Sequence, residues 1–167
     1  TEGEPDGLWH VTPDARQHTR RSIYLFHKRN VRQPLLEAFD QPDRLTPCGE
    51  RAVSTYAPQA LILMNGPFTQ SQSRALASRL VSTSAEPRDW IDSAYLRCFG
   101  RRPVEAERVE ALEFLKEQTA LIEDRLRTRQ KVAIPENLPG NADLASAAAL
   151  ADFCLALFNA NEFIYVP

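Results

Sequence analysis

Three long stretches of this 167-residue chain contain neither glycine nor proline: Arg88 to Phe99, Val104 to Ile134, and Asn141 to Val166. Proline removes a backbone donor and glycine costs about 1 kcal/mol in a helix interior, so helices run in these gaps without interruption. Seven of the 12 prolines fall at or before Pro67, which predicts an irregular first part made of short elements. The chain is therefore expected to be all-α, with helices over 57–64, 67–82, 88–99, 104–130 and 142–160.

The apolar spacing agrees with those limits. Ile91, Ala94, Tyr95, Cys98 and Phe99 share one helical face, with Gly100 just past its end. Pro103 opens the next helix, whose apolar stripe is Val109, Leu112, Leu115, Ile122 and Leu126. Its acids come early (Glu105, Glu107, Glu110, Glu113) and its bases late (Arg125, Arg127, Arg129, Lys131), which complements the helix dipole. Asn65-Gly66-Pro67 reads as a stop followed by a start, with Asn65 as the cap of the shorter helix. The stretch 142–159 is apolar nearly all round and should be central. One domain over 1–167 is expected: an irregular proline-rich segment, 1–66, packed on a bundle of about five helices, 67–167.

Composition narrows the function classes without choosing one. Twenty basic and 22 acidic residues leave a net charge of −2, and 43% of residues are hydrophobic. These values exclude a disordered, collagenous or disulfide-scaffold chain. No apolar run approaches the ~18 residues of a membrane span. Only six glycines are present, none in a nucleotide-loop context. Cys48, Cys98 and Cys154 form no C-x-x-C or C-x-x-C-H, so no metal and no haem is expected on this chain. The acidic start without an apolar leader or a methionine, Thr1 to Gly7, leaves two readings, a cytoplasmic protein or, favoured, a piece of a longer one.

Five ordered phrases are more specific. They are Arg20-Arg-Ser-Ile-Tyr-Leu-Phe-His-Lys-Arg29, Leu36-Glu-Ala-Phe-Asp-Gln-Pro-Asp43 and Cys48-Gly-Glu-Arg51. Ser54-Thr-Tyr-Ala-Pro-Gln-Ala-Leu-Ile-Leu-Met-Asn65 and Asn159-Ala-Asn-Glu-Phe-Ile-Tyr165 complete the set. From about Gly7 to Tyr165 the succession resembles the C-terminal part of the family catalogued as domain of unknown function 1553, common in planctomycetes and their relatives. One departure is Tyr56-Ala57 before Pro58, where threonine is usual. The resemblance implies a large exported parent that carries a c-type haem module and a second domain of unknown function, in some cases with a carbohydrate-binding-like insert. It implies no established activity. In an exported parent, Cys48 and Cys154 become the candidate disulfide, joining the irregular part to the central helix.

Each candidate site carries two readings. From Arg16 to Arg32 there are six basic residues with Tyr24 and Phe26 interleaved and no acid, a pattern found in nucleic-acid binders. The alternative, weighed more heavily, pairs these arginines with Glu37, Asp40, Asp43 and Glu50 and places Ile23, Leu25 and Phe26 in the core. Asp40 and Asp43 flank Pro42 and suit a turn better than an acid–base pair or a cation site. His10, His18 and His27 lack the spacing of a shared helix face. Arg21, Asp40, Asp43, Arg51, Asn161 and Glu162 form the candidate polar cluster: either a buried ion-pair network or a binding surface.

The leading expectation is a non-catalytic structural or docking module whose partners are other domains of its parent, and polysaccharide as a further partner. No nucleic acid and no membrane span are expected. The alternatives are part of a polysaccharide-active or redox enzyme whose cleft upstream domains complete, and a nucleic-acid binder through 16–32.

Overall fold

The computed structural model describes residues 12–25, 33–42, 46–50, 54 and 57–165. The chain is all-α: among the described residues there are seven α-helices, two 3-10 turns and no strand. It divides into two compact units, 1–53 and 54–167. The division therefore falls before the first long helix rather than at 66–67.

The first unit holds 3-10 turns at Ala15–Thr19 and Ser22–Tyr24 and one short helix, α1, Pro34–Ala38. Asp14 opens the first turn by accepting the Arg16 N–H at 3.1 Å. α1 ends where Asp40 enters the left-handed region at φ 57, with Gln41 N–H on Leu36 O at 2.9 Å and Asp40 N–H on Glu37 O at 3.1 Å. That pair of bonds is a Schellman cap, and Asp is among the few residues that tolerate its left-handed position. Contrary to expectation, Ile23 is 81% exposed and Leu25 is also exposed. Both sit at a three-residue 3-10 turn, which has no continuous face to bury.

The second unit contains α2, Ala57–Asn65; α3, Pro67–Thr83; α4, Pro87–Phe99; α5, Glu105–Arg127; α6, Leu144–Phe158; and α7, Asn161–Ile164. Prolines at the starts of α3 and α4 fit the first turn, where their missing N–H leaves nothing unsatisfied. α2 and α3 join at Gly66, where any Cβ would collide with the Ile62 carbonyl that accepts the Gly66 N–H.

α6 is the centre, packed most extensively on α3 and α5. Ten of its 15 residues are buried, and half of those are alanines. Such small side chains let neighbouring helices approach closely. Leu80, Ile91, Ile122, Leu150 and Cys154 are the largest fully buried side chains. Asp143 starts α6 by accepting the Ser146 N–H at 2.8 Å.

Two sequence expectations need correcting in α5. Val109 is 55% exposed, and Ala111 is buried instead. Six residues separate Val109 from Leu115, which is about 120° around a helix of 3.6 residues per turn. The helix also stops at Arg127 rather than 130. Arg129 turns left-handed at φ 56, with Gln130 N–H on Arg125 O at 2.9 Å and Arg129 N–H on Leu126 O at 3.1 Å. This is a second Schellman cap, formed without a glycine to announce it.

Candidate functional site

The most concentrated electrostatics of the second unit lie at the corner between α4 and α5. α4 ends because Gly100, at φ 72, donates its N–H to Leu96 O at 3.1 Å. Arg101 follows at once, and buried Pro103 leads into α5. Glu107 in the first turn of α5 accepts the Val104 N–H at 2.8 Å, the acidic half of a capping box.

Arg101 lies between two carboxylates. Its Nη1 and Nη2 donate to Glu107 at 2.8 Å each, and its Nε and Nη2 donate to Glu162 at 2.6 and 2.7 Å. Nη1 also donates to Arg102 O at 3.2 Å. All five guanidinium N–H groups are thereby used. The guanidinium carbon stands 5.5 Å from the Tyr95 ring centroid and 5.8 Å from that of Phe99. These aromatic faces add cation–π attraction and shield one side of the group.

The consequences for protonation follow from those bonds. Hydrogen bonding to Arg101, helped by the Val104 N–H, pulls the Glu107 carboxyl down to about 2. Glu162 is lowered for the same first reason, and the Arg101 guanidinium is pushed up by both partners. Burial raises the Tyr95 phenol.

α7 comes to this corner through the end of α6. Asn159 Nδ2 donates to Leu155 O at 2.8 Å, Ala160 N–H reaches Leu157 O at 3.1 Å, and α7 begins at Asn161. The rings of Phe158 and Phe163 pack with centroids 5.0 Å apart. Beyond α7, Tyr165 donates its hydroxyl to Gln59 Oε1 at 3.4 Å, and Gln59 Nε2 donates to Ser54 O at 2.9 Å. Gln59 is buried at 5% exposure, so the phrase beginning at Ser54 and the phrase ending at Tyr165 meet. Arg108 adds a parallel tie from α5 to α4 through Asp92, Nε to Oδ1 at 2.9 Å, and pairs with Glu105 as well.

Of the polar cluster expected from the sequence, Asn161 and Glu162 stand together in α7. Arg21 and Asp40 belong to the first unit, where Arg21 precedes the second 3-10 turn and Asp40 forms the cap of α1. Asp43 and Arg51 lie outside the described residues, as do His10, His27 and the basic positions 28, 29 and 32. His18 Nε2 meets Thr12 O at 2.6 Å. Arg16 pairs with Asp14 at 3.1 Å, an acid just upstream of the basic run. Arg20 reaches Gln17 Oε1 and stacks over Tyr24 at 5.1 Å. Asn65 Nδ2 donates to Leu61 O at 3.1 Å at the end of α2. All three cysteines are free thiols, with Cys48 exposed, Cys98 partly buried and Cys154 buried.

Arg101 and Glu107 escaped the sequence reading. The available signal was local: an arginine directly after a helix-ending glycine, followed by glutamates at 105 and 107 in the first turn of the next helix. Its partner at 162 is sixty-one residues away, beyond the reach of any local pattern.

The class defined by this arrangement is an all-α body whose C-terminal phrase is latched to its α4–α5 corner. Residues 4–115 match the family described as "Protein of unknown function (DUF1553)", and the chain belongs to that family. The matched stretch ends inside α5, whereas the second compact unit runs on through α6 and α7. No curated protein and no solved structure matches the chain. Among the described residues, no helix is long and apolar enough to cross a membrane.

Proposed function

We propose that this chain is a non-catalytic structural or docking module of an exported multidomain protein, and that the Arg101 latch serves its architecture rather than chemistry. The observation that carries this reading is the saturation of Arg101: all five N–H groups are engaged, and both oxygens of Glu107 and of Glu162 accept from it. A carboxylate at about 2 is too weak a base to take protons efficiently near neutral pH, where general bases work best with pKa values close to the operating pH. A latch of this kind holds a surface in one shape for neighbouring domains of the parent. Family membership is consistent with that role and names no reaction.

The test uses Glu162→Gln and Arg101→Ala in the full parent protein. Both variants are expected to melt earlier than the parent, and any polysaccharide turnover should fall only in step with the folded fraction. Loss of turnover in Glu162→Gln with an unchanged melting temperature would make Glu162 catalytic and overturn the proposal.

A further inference from the structure

A groove of about 680 Å³ lies between α3, the C-terminal part of α4 and the turn at Glu136 and Asn137, and its lining shares no residue with the latch. α3 lines it with positions 71, 74, 78, 79, 82 and 83, whose spacing places them along one helix face. Three positive charges, Arg74, Arg79 and Arg97, stand in the lining against the carboxylate of Glu136. Among the described residues none of these three guanidiniums makes a hydrogen bond or an ion pair. In the same unit Arg88, Arg101, Arg108 and Arg127 are held by carboxylates, while Arg102, Arg125 and Arg129 also lack such a partner among the described residues.

The hydroxyls of the lining have a defined polarity. Ser82 Oγ donates to Ser78 O at 2.8 Å, and Thr83 Oγ1 donates to Arg79 O at 2.7 Å. With their protons committed, both oxygens face a ligand only as acceptors. Ser78 Oγ donates to Asn137 O at 3.3 Å and so fastens the turn to α3. A ligand complementary to this groove carries anionic oxygens for the arginines and hydroxyl donors for Ser82 and Thr83. No aromatic ring stands among the described lining residues, so the stacking platform on which single-strand binders hold bases is missing.

We propose that this groove binds an acidic saccharide, with Arg74, Arg79 and Arg97 holding a sulfate ester or carboxylate and Ser82 and Thr83 accepting from sugar hydroxyls. It goes beyond the structural role of the latch and rests on different residues, so either can fail alone.

Titration calorimetry on the 167-residue chain tests it with four probes: a heparin-derived hexasaccharide, hexagalacturonate, neutral maltohexaose and a short single-stranded oligodeoxynucleotide. At least one acidic hexasaccharide is expected to bind, in a salt-sensitive manner, and maltohexaose is not. Which acidic probe binds distinguishes sulfate ester from carboxylate. The Arg74→Ala/Arg79→Ala/Arg97→Ala variant should lose at least about tenfold in affinity, because charge-assisted hydrogen bonds are the stronger ones, and should melt like the parent. Ser82→Ala/Thr83→Val should weaken the binding of the acidic hexasaccharide, because it removes the two acceptors for sugar hydroxyls. Failure of both acidic probes to bind, unchanged affinity in the triple variant, or equally tight binding of the oligonucleotide would overturn the proposal.

Discussion

Arg101 grips Glu162 side-on, Nε to Oε1 at 2.6 Å and Nη2 to Oε2 at 2.7 Å, although they stand sixty-one positions apart in the sequence. The same guanidinium grips Glu107 six residues ahead, so one side chain joins the end of α4, the start of α5 and α7. Planar, bidentate recognition of two carboxylates is a task for arginine, and a lysine point charge cannot reproduce it.

The latch should be visible in the pH dependence of stability. Glu107 is held at about 2 against an ordinary glutamate value of 4.5, and Glu162 is shifted in the same direction. A carboxyl depressed by folding contributes stability that is fully present above its unfolded pKa. That contribution is lost as pH falls from about 4.5 through about 2. Arg101→Lys is expected to melt a few degrees lower than the parent at neutral pH, a modest effect because the pairs are partly solvent-exposed. Thermal melts at descending pH should show the two curves converging toward pH 2. A gap that persists there would assign the loss to something other than the carboxylates.

Two left-handed residues should respond in opposite senses. Gly100 sits at φ 72 with open space where a Cβ would be, so Gly100→Ala costs only the backbone strain, about 1 kcal/mol. Arg129 occupies φ 56 with a full side chain, and Arg129→Gly relieves that strain. Part of the gain is offset by the greater freedom of an unfolded glycine, leaving about 0.5 kcal/mol of stabilisation. Urea midpoints at unchanged m-value measure both.

The core around α6 should tolerate neither removal nor addition of volume. Leu150→Ala empties a fully buried site and should cost about 2–5 kcal/mol. Ala149→Leu forces new atoms into a helix face where the existing side chain is fully buried, with an expected cost of at least about 1–3 kcal/mol. Equilibrium unfolding of the two variants gives these values directly.

The thiols should separate by reactivity. Burial raises Cys98 to about 11 and pushes Cys154 higher still, whereas Cys48 is exposed. Because the thiolate is the reactive form, iodoacetamide at neutral pH should label Cys48 first and the other two only on unfolding. Peptide mapping after timed alkylation reads the order, and a Cys48 that resists labelling until reduction would reveal a disulfide there.

Much of the fold was already written locally. Proline or glycine marks the starts of α2 to α5 and the ends of α2 and α4, because those residues change what a single backbone position can do. The run at 144–158, apolar nearly all round, likewise required a central place, since most of its faces have to be covered. Periodicity was less decisive where it depended on a choice among apolar residues: Val109 entered the expected stripe, yet rotation about the α5 axis turns it outward.

What the sequence by itself determined is the all-α class, the positions of the long helices and the polar character of the phrase from Asn159 to Tyr165, all consequences of neighbours within a few turns. Only the tertiary structure decided which charge Glu162 would meet and which arginines would be left facing the groove. Ion pairing is set by distances of a few ångströms in space, and a chain folded into helices brings together residues that no local spacing connects. Arg101 and Arg97 stand four positions apart in the sequence, one fully engaged by carboxylates and the other exposed in a groove, and that difference arises from the packing of the surrounding helices.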